Sequence, residues 1–296
     1  MINFLNQARI SGLFLLKYVW KVITLKYKLL ALDMDGTVLN SQKKISPRTK
    51  SAINNLIQRG IHVVIGTGRD LAEVRDYRND FSGMKYAILM SGGLIFDFFN
   101  DKPIKIHGLD EKTIFELIDF GLEERAMIHL HTVRDSIARE VDIQNMAAFG
   151  MGVYQEMFDR VCVRCADCKE FVRAHPGEVV KVNLYHRNKQ SRDKNFARIQ
   201  PLNLSISFAE AFNLEMLPAD ITKGSGLREL CDFLKIDISE TVAIGDAPND
   251  KEILEMAGVG VAMGNATDEI KKIAAFITLD NDNDGVAVAI DKFFKE

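Results

Sequence analysis

Short apolar runs alternate along this chain with segments of helical periodicity, an arrangement that few fold classes accommodate. The first run, Leu29–Leu32, is followed directly by Asp33-Met34-Asp35-Gly36-Thr37. Comparable runs lie at residues 61–65, 86–90, 241–244 and 259–263. Short runs between helices are typical of strands that are buried on both faces of a parallel sheet. The pattern therefore predicts an α/β fold with a doubly wound parallel sheet.

Helix boundaries in the same segments are marked by residues that cap helices. Ser46-Pro47 places a side-chain cap before a proline at the first helical position, and Gly60 is suited to the end of that helix. Later helices are predicted at residues 223–234, 249–257 and 285–294. Because the late strands and helices repeat the early pattern, both parts of the chain are expected to contribute to one sheet.

The length of the chain predicts more than one domain. Its 296 residues exceed the typical domain size of about 100–200 residues. Residues 92–212 differ from the rest, with polar and aromatic strands predicted at 127–133 and 180–185 and with longer loops. We therefore expect a discontinuous core made of residues 28–91 and 213–296, interrupted by an inserted α/β domain at residues 92–212 and preceded by an extension at residues 1–27.

The composition limits the partners and the compartment. Lysine and arginine total 38 and aspartate and glutamate total 41, giving a formal net charge of −3, so no nucleic-acid partner is expected. Hydrophobic residues make up 47% of the chain, enough for a sizeable core. Four cysteines in a chain of this length do not indicate a disulfide framework, which favours the reducing cytoplasm.

The N-terminal extension is apolar but charged. Residues 10–32 carry four lysines, namely Lys17, Lys21, Lys26 and Lys28. A membrane span needs about 18 or more apolar residues with few or no charges, so a transmembrane helix is not expected. Thr24 and all of these lysines except Lys26 fall on one helical face, which leaves an interfacial amphipathic helix as an alternative. We favour a docked or frayed extension, or a start codon placed too far upstream, with no signal peptide and no firm membrane association.

Polar residues stand where the apolar runs end. They are Asp33 and Asp35 after the first run, Thr67 and Arg69 after the second, and Asp246 and Asp250 after a later one. Open parallel sheets bind ligands at the carboxyl ends of their strands, so these side chains are expected to meet at one edge. Clustered carboxylates repel one another unless a hard cation lies among them, and oxygen ligands suit Mg²⁺. The sequence therefore predicts a Mg²⁺ site at this edge.

The order of the motifs resembles that of the haloacid dehalogenase (HAD) superfamily. The four motifs are Asp33-Met34-Asp35-Gly36-Thr37, Thr67, Lys223 and Gly245-Asp246-Ala247-Pro248-Asn249-Asp250. Residues 30–41, 215–224, 261–265 and 283–286 resemble more closely the Cof-like phosphatase branch of that superfamily. The likeness covers nearly the whole chain from Lys28 onward. It implies a HAD-like core with an inserted type IIB α/β cap, which covers the active site and selects the substrate.

The resemblance implies a Mg²⁺-dependent phosphatase that hydrolyses a small phosphorylated metabolite, such as a sugar phosphate or a phosphorylated cofactor. Asp33 would be the nucleophile that forms an aspartyl-phosphate, and Asp35 would act first as general acid and then as general base. Dehalogenating members and ion-pumping ATPases lack an acid at the position of Asp35. This residue therefore favours phosphatase or phosphomutase chemistry.

The resemblance also implies the residues that surround the phosphate and the metal. Thr67 and the Gly68 amide would hold phosphoryl oxygens, and Lys223 would neutralise charge on the nucleophile and the phosphoryl group. Two further phosphate contacts would come from Asn249 and the Met34 amide. The Mg²⁺ would be held by Asp33, the backbone carbonyl of Asp35 and Asp246, with Asp250 in support.

Three features are not explained by these motifs. Ser91-Gly92 replaces the Asn-Gly pair that the family often has after the third core strand. Arg69 is expected to stabilise the core or the neighbouring loop rather than to contact the substrate. The spacing of Cys162, Cys165 and Cys168 suits a zinc site, for which His129, His131 and His175 are candidate further ligands, although reduced thiols are the preferred interpretation.

Other functions remain open at this point. A phosphomutase would use the same two aspartates but return the phosphoryl group to the substrate. A catalytically silent binding or regulatory protein would retain the fold without turnover, although none of the four motifs is missing. A nucleotide-binding oxidoreductase is disfavoured because no Gly-x-Gly-x-x-Gly follows the first strand. The sequence does not predict an oligomeric state.

Overall fold

The computed structural model describes residues 26–80, 82–208 and 212–295. The N-terminal extension predicted at residues 1–27 lies outside the described residues except for Lys26 and Tyr27. The buried ring of Tyr27 packs edge-on against Phe293 and Phe294, with ring centroids 6.3 and 5.9 Å away. Within the described ranges, no helix is both long enough and apolar enough to cross a membrane.

The strands of the described ranges are numbered here in chain order. They are β1 Leu29–Leu32, β2 His62–Gly66, β3 Tyr86–Leu89, β4 Leu94–Asp97, β5 Lys102–Ile106, β6 Met127–Thr132, β7 Ser136–Arg139, β8 Cys162–Cys165, β9 Val179–Tyr185, β10 Leu204–Ser207, β11 Asn213–Pro218, β12 Thr241–Gly245, β13 Val259–Ala262 and β14 Phe276–Ile277. They form two sheets, which we call the core sheet and the outer sheet.

The core sheet has eight strands among the described residues, in the order β14-β13-β12-β1-β2-β3-β4-β5. The strands from β14 to β3 are parallel to one another, whereas β4 and β5 continue the sheet in antiparallel pairing. The strand order changes direction at β1, which pairs with β2 on one side and with β12 on the other. The doubly wound parallel sheet predicted from the sequence is confirmed.

The α-helices of the described ranges are also numbered in chain order. They are α1 Pro47–Gln58, α2 Leu71–Val74, α3 Glu111–Glu123, α4 Glu140–Ile143, α5 Gln155–Val161, α6 Cys168–Ala174, α7 Lys189–Ile199, α8 Lys223–Leu234, α9 Lys251–Met256, α10 Asp268–Ile273 and α11 Gly285–Phe293. Ser46 caps α1 by accepting the Thr49 amide at 3.1 Å, and α8 has the bounds that the sequence predicts. The helix predicted at 249–257 begins instead with a 3₁₀ turn, Pro248–Asp250, before α9.

The outer sheet comprises the six other strands of the described part of the chain, in the order β10-β11-β9-β6-β7-β8. Its strands pair antiparallel except for β7 and β8. Apolar residues of α3 and β6 form a core on this sheet, including Ile114, Leu117 and Leu130. Val180 and Leu217 of the outer sheet belong instead to the apolar cluster of the core sheet, so the two sheets are packed together.

The limits of the sheets differ from the domain limits expected from the sequence. Strands β4 and β5 belong to the core sheet although they lie within residues 92–212, and β11 belongs to the outer sheet although it lies after residue 212. The turn at Met90–Gly92 leads into a hairpin with β3 rather than out of the core. We therefore propose that an inserted domain runs from about the end of β5 to about the end of β11.

Candidate active site

The loop after β1 brings Asp33 to the carboxyl end of the core sheet. The Asp33 amide donates to the Ile244 carbonyl of β12 at 3.0 Å, which anchors the loop to the neighbouring strand. Gly36 adopts a φ of +79°, and a Cβ at this position would lie 2.4 Å from Oδ2 of Asp246. The Thr37 hydroxyl donates to Oδ1 of Asp246 at 2.6 Å. The glycine thus lets the two acidic loops approach each other.

Lys223 joins three segments of the chain. Its Nζ donates to Oδ1 of Asp33 and to Oδ1 of Asp250, both at 2.6 Å, and its side chain is buried. Oδ2 of Asp250 accepts the amides of Asp246 and Ala247 at 2.9 and 3.0 Å. Both oxygens of Asp250 are therefore engaged in holding Lys223 and the loop after β12.

The charges of this cluster do not balance. Asp33, Asp246 and Asp250 each place a carboxylate oxygen within 4.8 Å of the others, and the ammonium group of Lys223 contacts Asp33 and Asp250. Burial raises the pKa of Asp33 well above its usual range, and the charges of Asp250 and Asp246 raise it further, although Lys223 opposes them. Burial and the Asp250 charge raise the pKa of Asp246 to about 6, against the Thr37 hydrogen bond. The cluster is therefore compatible with a bound divalent cation.

The carboxylate of Asp35 is paired with Arg69 rather than with Lys223. The guanidinium donates two hydrogen bonds to the carboxylate, from Nε to Oδ2 at 2.7 Å and from Nη2 to Oδ1 at 2.8 Å. Lys43 Nζ also donates to Oδ1 at 2.7 Å. Burial alone would raise the pKa of Asp35, but the hydrogen bonds and charges of Arg69 and Lys43 lower it to about 2. Arg69 therefore holds a residue predicted to be catalytic.

The loop after β2 contributes Thr67 and Gly68. The Thr67 hydroxyl accepts the Arg69 amide at 3.2 Å, and the Gly68 carbonyl accepts Nζ of Lys181 at 2.5 Å. Ser91 lies in the 3₁₀ turn Met90–Gly92 after β3 and adopts a φ of +52°, and its amide donates to the Thr67 carbonyl at 2.9 Å. Ser91 Oγ donates to Glu215 at 3.3 Å, so the residue at this position contacts the outer sheet.

A cleft of about 240 Å³ lies between the two sheets. On the core side, the predicted site residues that line it are Asp33, Asp35, Thr67, Gly68, Asp246 and Asn249. Lys223 and Asp250 are buried beneath Asp33, and the side chain of Met34 is buried in the core rather than in the cleft. Oδ1 of Asn249 is buried and has no hydrogen-bond partner within the described residues. The structure thus brings together most of the residues that the sequence singled out.

The outer sheet supplies cleft residues that the sequence analysis missed. They are Lys181, Asn183 and Tyr185 of β9 and Asn213 and Glu215 of β11. The three β9 residues alternate along the strand and therefore share one face. A polar alternation within a strand that is otherwise Val and Leu was a signal available in the sequence. Glu215 is buried and accepts hydrogen bonds from Lys181 and Asn183, at 3.4 and 3.3 Å.

The zinc site considered for the cysteines is not assembled. Sγ of Cys165 and Sγ of Cys168 lie 3.7 Å apart, and the cysteines of the described ranges are free thiols. His129 and His131 lie against Asp70 instead, and neither group of potential metal ligands found in the described ranges includes a cysteine. Nδ1 of His131 contacts Asp70 at the start of α2, and Nε2 of His129 contacts Ser136 of β7.

Comparisons with known proteins give a consistent result. A family model described as haloacid dehalogenase-like hydrolase matches residues 30–290. A putative phosphatase of Haemophilus influenzae is 30% identical over 275 residues, covering 91% of this chain and 99% of the relative. The 5-amino-6-(5-phospho-D-ribitylamino)uracil phosphatase YcsE of Bacillus subtilis is 29% identical over 264 residues, covering 89% of this chain and 94% of the relative.

Solved structures share the whole fold. A haloacid dehalogenase-like hydrolase from B. subtilis superposes with a TM-score of 0.81 at 26% identity, covering 90% of this chain and 99% of that chain. The HAD subclass IIB sugar phosphatase BT4131 superposes with a TM-score of 0.78 at 22% identity, covering 90% and 98%. The second likeness shows the fold alone.

Proposed function

The chain belongs to the haloacid dehalogenase-like hydrolase family, as its resemblance predicted, and from that premise we propose that it is a Mg²⁺-dependent phosphatase acting on a small phosphate monoester. Relatives named as phosphatases support the reaction class. The observation that carries the proposal is the buried hydrogen bond between Lys223 and Asp33 at the floor of the cleft. This hydrogen bond fixes the orientation of the Asp33 carboxylate, and the ammonium group of Lys223 neutralises part of its charge.

In the proposed mechanism Asp33 is the nucleophile. One carboxylate oxygen attacks the phosphorus, the bond from phosphorus to the ester oxygen breaks, and an aspartyl-phosphate forms. Lys223 holds Oδ1 of Asp33 at 2.6 Å and so limits the rotation of the carboxylate before the attack. The same ammonium group offsets part of the negative charge that the incoming phosphoryl group adds to this site.

Asp35 is proposed to transfer the proton in both steps, the formation and the hydrolysis of the aspartyl-phosphate. It gives a proton to the leaving alkoxide, and it later takes a proton from the water that attacks the aspartyl-phosphate, which releases inorganic phosphate and regenerates Asp33. While it is paired with Arg69 and Lys43, Asp35 has a pKa of about 2 and is not an acid at neutral pH. We therefore propose that substrate binding separates Asp35 from Arg69, which raises the pKa of Asp35 and lets it face the ester oxygen.

The phosphoryl oxygens are proposed to lie among Thr67, the Gly68 amide and Asn249. All three residues line the cleft beside Asp33. Oδ1 of Asn249 is buried and has no partner among the described residues, so it can accept a hydrogen bond from a substrate hydroxyl, and we propose that Nδ2 of the same amide donates to a phosphoryl oxygen. The Met34 amide is proposed as a further donor because it directly follows Asp33.

The carboxylates fit a divalent cation. Asp33, Asp246 and the backbone carbonyl of Asp35 are proposed to hold it, because these three residues line the cleft. Asp250, in contrast, is buried outside that lining and binds Lys223 and the amides of Asp246 and Ala247. Asp250 is therefore proposed to support the site through Lys223 and the loop after β12. When bound, Mg²⁺ would neutralise charge on the phosphoryl group.

The size of the cleft points to a small substrate. Its volume of about 240 Å³ lies below the range of about 300–1,000 Å³ that is usual for drug-sized ligands. Asn183, Asn213 and Glu215 supply oxygens opposite Asp33, which suits a substrate with hydroxyl donors such as a phosphorylated sugar or cofactor. We place this activity in the cytoplasm. A sugar phosphomutase is the alternative, and a catalytically silent binding protein is the second alternative.

A screen of phosphorylated metabolites with and without Mg²⁺ tests the proposal. Phosphate release should require Mg²⁺ and should be abolished in Asp33→Asn, whereas the matched variant Asp232→Asn, on the exposed side of α8, should keep it. Undiminished release by Asp33→Asn would contradict the assignment of the nucleophile. A requirement for a bisphosphate activator, with isomerisation in place of phosphate release, would favour the phosphomutase.

A further inference from the structure

A second cluster of potential metal ligands lies where the two sheets meet, apart from the carboxylates around Asp33. Asp70 is the N-cap of α2, just after the core strand β2. His129 and His131 stand two residues apart on β6 of the outer sheet, so their side chains share one face. All three side chains are buried, with exposed fractions of 0%, 0% and 1%.

The contacts within this cluster are close. Nδ1 of His131 lies 2.8 Å from Oδ2 of Asp70, and Nε2 of His129 lies 2.5 Å from Oγ of Ser136. The two imidazole rings are tilted against each other with centroids 3.9 Å apart. One potential ligand atom from each of Asp70, His129 and His131 lies within 4.8 Å of the other two.

The two imidazoles are not satisfied by the protein. Nδ1 of His129 and Nε2 of His131 are buried and have no hydrogen-bond partner within the described residues. Buried polar atoms are normally paired, because leaving one unpaired costs the desolvation of that atom. Two unpartnered nitrogens on adjacent imidazoles therefore require an explanation, and a ligand that uses imidazole lone pairs supplies one.

We infer that Asp70, His129 and His131 form a binding site for a divalent transition metal ion of the zinc class. Zinc binds imidazole nitrogen and carboxylate oxygen at about 2.0–2.2 Å in tetrahedral geometry, so two of its ligand atoms stand about 3.3–3.6 Å apart. The potential ligand atoms of this cluster lie within 4.8 Å of one another, so they need to close by up to about 1.5 Å to reach that spacing. Imidazole ligands favour zinc, copper, nickel or iron, whereas the oxygen ligands around Asp33 favour Mg²⁺.

Such an ion would join the two sheets. Asp70 is attached to the core sheet through β2, and both histidines belong to the outer sheet, so metal binding would fix the position of one sheet against the other. His131 also lines the cleft, which places the ion at its wall rather than among the groups assigned to phosphoryl transfer. The site is a structural bridge in this interpretation, and it does not depend on the proposed phosphatase activity.

Equilibrium dialysis of the full chain against Zn²⁺, with Mg²⁺ in excess to occupy the carboxylate site, tests this inference. We expect one equivalent of zinc to be retained by the wild-type protein. His131→Gln and Asp70→Asn should each weaken zinc binding by about tenfold or more. His175→Gln, which changes a histidine whose Nδ1 lies 2.9 Å from the Phe171 carbonyl, and the double change Cys165→Ser with Cys168→Ser should leave zinc binding unchanged.

Either of two outcomes of the dialysis would overturn the inference. One is a wild-type protein that retains no zinc, and the other is zinc retention that survives His131→Gln and Asp70→Asn. A second measurement, X-ray absorption, uses only the wild-type protein, so its result does not depend on whether the variants fold. X-ray absorption of the bound zinc should show the outer-shell scattering of imidazole, whereas an oxygen-only shell would assign the ion to the carboxylates and contradict the site. Neither readout uses turnover, so the failure of the phosphatase proposal would not affect the result.

Discussion

Nζ of Lys223 lies 2.6 Å from Oδ1 of Asp33, although the two residues are 190 positions apart in the chain. The contact forms because β1 ends beside the first turn of α8, where Thr222 caps the helix and Lys223 is its first residue. A lysine at the start of a helix is disfavoured by the helix dipole. Burial alone would lower the pKa of Lys223, but the charges of Asp250 and Asp33 raise it. Lys223 therefore remains charged.

Lys223→Met should therefore impair both turnover and stability. The change removes the cation between two buried carboxylates and leaves them uncompensated, which should reduce the free energy of unfolding by about 3 kcal/mol. It also removes a group assigned to charge stabilisation, for which a loss of about 10²–10³ in kcat is expected. Denaturant titration and phosphate release measure the two effects. Lys251→Met is the matched control, since Lys251 is half-exposed and pairs only with Glu269 across 3.4 Å in the described structure.

Asp35→Asn should slow turnover while leaving substrate binding nearly intact. The asparagine keeps the size of the side chain but cannot give or take the proton, so kcat should fall by about 10²–10⁴ with little change in the Kd of the substrate. Single-turnover phosphate release and direct binding measurements separate these quantities. A large loss of binding with normal turnover would argue against the acid/base role of Asp35.

The pair of Asp35 and Arg69 should also give a defined pH dependence of stability. The pKa of Asp35 is lowered from 3.8 to about 2, so the pair contributes stability that is fully present above about pH 4. The contribution should be lost as the pH falls from about 4 toward 2, because Asp35 then becomes protonated and resembles asparagine. The difference in unfolding midpoint between the wild-type protein and Asp35→Asn should thus be constant near neutral pH and should shrink in that acidic window. A difference that persisted below pH 2 would show that the pair does not lower the pKa.

The sequence predicted the residues of the site more fully than their partners. Asp33, Thr67 and Asp246 follow apolar runs, and parallel strands bring their carboxyl ends to one edge, so their convergence followed from the strand pattern alone. The contact of Arg69 with Asp35 spans 34 positions and depends on how two loops lie over the sheet. No local sequence pattern indicates that these two residues meet. The sequence therefore predicted only that Arg69 stabilises the core or the neighbouring loop, and it did not identify Asp35 as the partner.

The outer sheet was predicted less well than the core sheet for a physical reason. Its strand β9 is buried on both faces, yet it presents Lys181 and Asn183 to the cleft because Glu215 and the Gly68 carbonyl accept their hydrogen bonds. A polar residue in a strand normally indicates a solvent-facing side. The partners that make burial tolerable come from other segments, so they were visible only in the structure. The same holds for His131, whose partner Asp70 lies 61 positions away.

Gly36→Ala should disable the cation site without unfolding the protein. Gly36 has a φ of +79°, where an alanine is strained by about 1–2 kcal/mol, and its Cβ would lie 2.4 Å from Oδ2 of Asp246. We expect the alanine to displace the Asp246 carboxylate, so that the Mg²⁺ concentration needed for half-maximal activity rises and activity at saturating Mg²⁺ falls.

Gly60→Ala is a matched control for this change. Gly60 has a φ of +80°, nearly that of Gly36, but a Cβ there would meet nothing within 4 Å. Both variants should lose a similar free energy of unfolding from backbone strain, whereas only Gly36→Ala should alter the Mg²⁺ requirement, which a titration of phosphate release against Mg²⁺ measures. If both variants required the same Mg²⁺ concentration as the wild-type protein, the result would contradict the claim that Gly36 keeps Asp246 in position to bind Mg²⁺. The comparison therefore separates the strain of a left-handed backbone from the close approach that the two acidic loops require.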